Sequence, residues 1–358
     1  MLQIRRARDL APIHLLPVLV AILSAQPAGA QDFDMIDSGQ SLGNAHSRDV
    51  ALADLDGDGD LDAFVANNQF IGPPPNRVWI NQGGAQAGGA GTFLDGGQAL
   101  GDGQSAAVAL GDLDGDGDVD AFVGNLFNGT DAANRIWLND GTGTFQADAQ
   151  ALGTSNTFDI ALGDVDGDGD LDAVAANPDS GTPNTLWINQ GGAQGGTEGF
   201  FSAAGMLGTA QAGSVALGDL DGDGDPDAVL GVSFGTPRAN QIWINQGGAQ
   251  AGTPGVFSDS GQILGNQRTL AIRLGDIDGD SDLDIYAANS GTTTEDVLWI
   301  NPGADANGDP GAFLPAAWTG PSRISTDAAL ADFNDDGLID VFVARFNQLN
   351  RPNEVWLN

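Results

Sequence analysis

Five stretches of this chain place a carboxylate at every second position around glycine, and a sixth repeats the pattern with Asn334 and Leu338 at two of those positions. The first reads Asp54-Leu55-Asp56-Gly57-Asp58-Gly59-Asp60-Leu61-Asp62, and related stretches begin at Asp112, Asp164, Asp219, Asp276 and Asp332. Alternating aspartates on a glycine-rich turn form a cage of hard oxygen donors, the kind Ca2+ prefers. The candidate metal residues are Asp54, Asp56, Asp58, Asp60 and Asp62, then Asp112, Asp114, Asp116, Asp118 and Asp120. Loop three offers Asp164, Asp166, Asp168, Asp170 and Asp172, and loop four Asp219, Asp221, Asp223, Asp225 and Asp227. Loop five has Asp276, Asp278, Asp280, Asp282 and Asp284, with Ser281 in place of a glycine. Loop six has Asp332, Asn334, Asp336 and Asp340. Up to six Ca2+ ions are expected. An EF-hand is excluded, because it needs a bidentate Glu at loop position twelve. That position holds Val65, Val123, Ala175, Leu230, Ala287 and Val343.

Other chemistry is sparse. Beyond residue 30 there is one histidine (His46), one tyrosine (Tyr286), no cysteine and no lysine. The abundant carboxylates lie where metal binding accounts for them, so no catalytic residue is assigned. A Ca2+-dependent polysaccharide lyase or hydrolase is the alternative reading, and a structural envelope or matrix component is a third.

The steps between loops, 58, 52, 55, 57 and 56 residues, are the signature of a repeat architecture. Each unit holds four short segments rich in β-branched and aromatic residues and bounded by turn residues. In the second unit these are Ala107–Gly111, Val119–Val123, Asn134–Asn139 and Phe145–Gly153. The third segment is the most regular, as in NRIWLN at Asn134 and NQIWIN at Asn240. Four strands per unit predict the blade of an all-β propeller, with six four-stranded antiparallel blades. Phe33–Gly43 is a fourth-type segment with no first three before it, and Asn353–Asn358 is a third-type segment with no fourth after it. The amino-terminal strand is therefore expected to complete the last blade and close the ring. The repeated tryptophans, Trp79, Trp137, Trp187, Trp243, Trp299 and Trp356, are read as packing between blades rather than sugar platforms. Gly-rich runs such as Gln82–Gln86 match no phosphate-binding motif and are read as flexible strand connections.

The amino terminus reads as a secretory signal over residues 1–30: Arg5, Arg6 and Arg8, an apolar run to Ala25, then Ala28-Gly29-Ala30. Residues 31–358 would then be the propeller, secreted to the periplasm or beyond the cell, with no membrane span. Its net charge would be −39, against −37 for the whole chain. So acidic a chain excludes nucleic acid as a partner, since phosphate binding needs clustered Lys and Arg.

The pattern A-L-G-D-x-D-G-D-G-D-x-D-A, followed by N-x-(V/I)-W-(I/L)-N, resembles the FG-GAP/VCBS repeats that build propellers like the integrin alpha-chain amino-terminal domain. The resemblance covers residues 31–358 and implies which oxygens bind metal. Loop residues one, three, five and nine would use side chains, and residue seven, such as Asp60 or Leu338, its backbone carbonyl. The count of six blades departs from the seven usual for integrin-type propellers. The resemblance also implies a role in binding or adhesion, with an extracellular protein or glycan as partner and a monomeric module.

The arginines point to where such a partner would bind. None lies in a metal or Gly-rich loop; Arg48, Arg77, Arg135, Arg238, Arg268, Arg323, Arg345 and Arg351 map to the opposite face or its strand ends. Phe70, Phe127, Phe158, Phe234 and Phe346 lie in or beside the same connections. Arg238, Arg345, Phe346 and Arg351 are the candidate ligand contacts, because function usually sits on variable loops over a rigid scaffold.

Overall fold

The computed structural model describes residues 38–358, apart from 69–71, 73, 85–87, 90, 102–103, 127–132, 237–238, 292–294, 305–309, 319, 321–323 and 346–351. The structure is all-β: six antiparallel sheets in a ring, in chain order. Blade one comprises Ser47–Ala53, Asp62–Asn67, Arg77–Asn81 and Phe93–Asp95. Blade two comprises Gln104–Gly111, Asp120–Leu126, Arg135–Asn139 and Phe145–Ala147. Asp159–Gly163, Asp172–Ala176, Thr185–Asn189 and Phe201–Met206 make blade three. Blade four is Ala212–Gly218, Asp227–Val232, Gln241–Asn245 and Phe257–Asp259. Blade five is Thr269–Gly275, Asp284–Asn289, Val297–Ile300 and Leu314–Pro315. The last blade has three strands, Ser325–Ala331, Asp340–Arg345 and Glu354–Trp356.

First strands of consecutive blades pack against one another, so they line the axis. Second strands are buried on both faces, as in Asp172–Ala176, which explains the apolar run that follows each opening aspartate. The core is divided into layers between neighbouring blades. Leu113, Phe122 and Ile136 of blade two meet Leu162, Leu171 and Trp187 of blade three. A fully buried side chain such as Phe122 contributes about 1.5–3 kcal/mol. All the repeated tryptophans except Trp79 pack against one of these clusters, and Trp79 is itself buried. The glycine that precedes the loop has a packing reason too. A Cβ on Gly111 would lie 2.5 Å from Leu171 Cδ1, and one on Gly218 would lie 2.7 Å from Leu283 Cδ1.

Two expectations about the fourth strand change. The segment does not run on to its leucine as one strand. Asp95, Asp148 and Asp259 each accept the N–H two residues later, and this turn ends the strand after three residues. Pairing resumes as single bridges, Asn76 with Leu100, Asn134 with Leu152 and Asn240 with Leu264. The closing segment is described only from Ser38, and Ser38–Gly43 form no strand. Leu42 is 42% exposed where Leu100, Leu152, Leu207 and Leu264 are at most 4%. The segment is nevertheless docked on blade one. Gln40 Nε2 donates to Gly91 O and its Oε1 accepts from Phe93 N, both at 2.7 Å. Gln98 makes the same pair of bonds from blade one to Gly143 and Phe145 of blade two.

Candidate metal centres

Each loop is shaped by its own carboxylates. The first aspartate turns the chain back on itself: Asp54 Oδ1 accepts from Asp58 N and its Oδ2 from Gly59 N, both at 3.0 Å. Asp112, Asp164, Asp219, Asp276 and Asp332 cap their loops in the same way. The second glycine then needs a positive φ, near 95° in Gly59 and 93° in Gly117, a region a side chain resists. Ser281 occupies that position in loop five at φ 82°, so the strain expected from the sequence is present.

The ninth residue locks loop to sheet. Asp172 is fully buried; its Oδ2 accepts from Val165 N at 3.1 Å and its Oδ1 from Asn189 N at 2.8 Å. Asp62, Asp120, Asp227, Asp284 and Asp340 repeat both bonds. Burial pushes the carboxyls of Asp62 and Asp120 up to about 6, Asp172 to about 7 and Asp227 to about 8, against the pull of these N–H donors. At the third position burial, followed by repulsion from neighbouring carboxylates, raises Asp114, Asp166 and Asp278.

Five acidic triads result, each with ligand atoms within 4.8 Å of one another. In blade one the triad is Asp54, Asp56 and Asp58; in the next four it is the first, third and ninth residues, such as Asp164, Asp166 and Asp172. The carboxylates of loop six, Asp332, Asp336 and Asp340, form no such triad, although its backbone turns alike. The fifth-position residues Asp116, Asp168, Asp223 and Asp280 stand outside the triads of their loops. At the seventh position the side chains face the connection between third and fourth strands. Asp118 lies under Gly141, Asp282 beside Gly303, and Asp225 beside Gly247.

These residues suit a hard divalent cation. Asp114 Oδ1 and Asp166 Oδ1 are buried without a hydrogen-bond partner, and every donor is an oxygen. The FG-GAP-like repeat pattern matches residues 54–123, 125–175, 164–230 and 276–343. The chain belongs to the FG-GAP-like repeat family. None of the curated proteins matches it. The five triads of this FG-GAP propeller could hold metal ions, in keeping with Ca2+.

The other candidate residues scatter. Arg238, Phe346 and Arg351 lie outside the described residues, as do Phe70, Phe127 and Arg323. The Arg345 side chain is 1% exposed and pairs with Glu354 at 2.5 Å, a compensating carboxylate that makes its burial tolerable. Arg77 and Arg135 are tied to the carbonyls of Gln98 and Gln150 in their own blades. Arg273 bonds Asp327 and Ala328 O of the neighbouring blade. Tyr286, the lone tyrosine, is fully buried and donates to Asp296 Oδ2 at 2.9 Å. Arg48 and Arg268 behave differently. The Arg48 guanidinium lies 4.3 Å over the Phe158 ring and that of Arg268 lies 5.0 Å over Phe234. The two rings meet edge to face at 5.5 Å.

Sequence reasoning missed the last asparagine of the third strand. Asn139 Nδ2 donates to Leu55 O, Asn189 to Leu113 O, Asn245 to Val165 O, Asn301 to Leu220 O and Asn358 to Ile277 O. Each acceptor is the second residue of the preceding blade's metal loop. The signal was in the sequence, since Asn closes every third strand. It missed the Gly-rich connections as well: Gly192–Gln194 and Gly248–Gln250 are 3-10 turns set against the metal loops, not loose links.

Proposed function

We propose that this is a secreted propeller loaded with structural Ca2+, acting as a monomeric extracellular binding module for a protein or glycan. In each loop the first, third, fifth and ninth side chains and the seventh carbonyl would hold the ion. When bound, Ca2+ supplies the positive charge that lets carboxylates crowd together. Residues 1–30 would be the export signal. No helix among the described residues is long and apolar enough to cross a membrane.

The observation that carries the binding reading is the Arg48–Phe158–Phe234–Arg268 stack. Its residues belong to blades one, three, four and five and sit beside the axial carboxylates Asp49 and Asp159, which act electrostatically on Arg48. Arginine and aromatic residues dominate interface hot spots, and cation–π pairing holds the guanidinium planes ready. Arg238, Phe346 and Arg351 belong by sequence to connections on the same face.

The test is a glycan array and a panel of extracellular proteins, probed with and without Ca2+. Changing Arg48 and Phe234 to Ala should abolish binding while Ca2+ content and melting stay unchanged. Binding that survives this change but is lost on altering the connections around Gly83 or Gly247 overturns the choice of face.

A further inference from the structure

We infer that Gln194 and Gln250 are positioning residues for the metal loops of blades three and four, fixing which oxygen of the third-position aspartate faces the ion. The inference rests on the calcium reading above. Gln194 Nε2 donates to Asp166 Oδ2, and Gln250 Nε2 donates to Asp221 Oδ2 at 2.5 Å. Both aspartates belong to the acidic triads. With its Oδ2 taken by Gln194, Asp166 presents Oδ1, which is buried and unpartnered, as the oxygen left for metal. A neutral amide does this without adding charge or competing for the cation. Such outer hydrogen bonds orient ligands and set their affinity.

The backbone shows that the glutamines are held to this task. Each ends a Gly-Ala-Gln 3-10 turn that opens at a glycine of φ 37° or 38°. A Cβ on Gly192 or Gly248 would collide with the carboxylate of Asp168 or Asp223, the fifth loop residue. The turn after Gln250 closes on Ala251 at φ 53°, a strained conformation for a residue with a Cβ. Asp166 is braced from its other side by the next blade, where a Cβ on Gly255 would lie 3.0 Å from Asp166 Cβ. The corresponding connections of blades two and five read Asn139-Asp140-Gly141-Thr142-Gly143 and Asn301-Pro302-Gly303-Ala304-Asp305. They have the same triad of first, third and ninth aspartates and no glutamine, which makes them internal controls.

The experiment is calorimetric Ca2+ titration of the full chain against Gln194→Met, Gln250→Met and the double variant. Methionine keeps the volume and removes the donor. Each single change should weaken one site by roughly 10–100-fold, and the double change two, with the total of bound ions unaltered. Terbium substituted for Ca2+ gives a second reading, because a carboxylate no longer held admits water and shortens the emission lifetime. Gln246→Met is the control: its amide bonds Ile244 O and Ser258 Oγ and should leave all sites intact. Unchanged affinities in the double variant overturn the inference alone. A wild-type chain that binds no Ca2+ overturns the calcium reading as well.

Discussion

Asn139 reaches across the boundary between blades and donates its side-chain amide to the backbone oxygen of Leu55, 84 residues earlier, at 2.8 Å. The acceptor sits inside the metal loop of blade one, so the bond ties ring assembly to loop shape. In blade three both ends of the Asn189 amide are used: its Nδ2 serves Leu113 O across the boundary and its Oδ1 accepts from Gly199 N of its own blade. Asn189→Ala should therefore destabilise the protein by about 1–3 kcal/mol, the cost of leaving buried polar groups unpaired. The urea midpoint at saturating Ca2+ measures it, and an unchanged midpoint would show the amide to be dispensable.

Removal of Ca2+ should lower the melting temperature by many degrees, and its return should restore it. Stripped of cations, five triads hold carboxylates within 4.8 Å of one another. A ligand that binds only the folded state stabilises it by mass action. A melt in excess chelator that matches the loaded protein would contradict this.

The six loops should not bind equally. Loop six has Asn334 where the others have aspartate, and its carboxylates form no triad, so it should be the weakest. Loop five has a separate weakness in Ser281. Ser281→Gly should relieve the φ of 82° and raise stability by about 1 kcal/mol. Titration resolving six identical sites, or a glycine variant no more stable than its parent, counts against these assignments.

A pH dependence should come from the axis. Burial, and behind it repulsion from Asp159 and Asp327, pushes Asp49 up to about 7, although the N–H groups of Val108 and Val50 pull the other way. Arg48 stands next to it, and Asp327 is itself raised to about 6 by burial, with Arg273 opposing. An ordinary aspartate releases its proton near 3.8, so between that pH and about 7 the folded chain binds more protons than the unfolded one. Stability contributed by Asp49 is thus lost as pH rises through that window. Unfolding measured at saturating Ca2+ should show this slope, and Asp49→Asn should flatten it. An equal slope in the variant would place the titrating group elsewhere.

Much of this was legible in the chain. The loop spacing and the Asn-x-x-Trp-x-Asn strand announced repeated four-stranded blades, because turn chemistry and apolar alternation are local properties. The loop aspartates announced clusters able to hold a metal for the same reason. What was not legible depended on partners distant in sequence. Asn139 looks like a strand-ending turn residue until Leu55 is beside it. Arg345 looks like a surface cation until Glu354 shows why it can be buried. The Gly-Gly-Ala-Gln runs have the composition of a loose link, and only the carboxylates beneath Gly192 and Gly248 reveal a fitted turn.

The asparagine bridge crosses five boundaries between consecutive blades, always from the later blade to the earlier one. A blade therefore carries a plug on one side and the matching socket on the other. Such a part can be copied in frame and inserted beside its parent without inventing a single new contact. Whole-unit duplication or loss would keep this joint, so the curvature of the circle, not the chemistry of the joint, would limit the size of the ring.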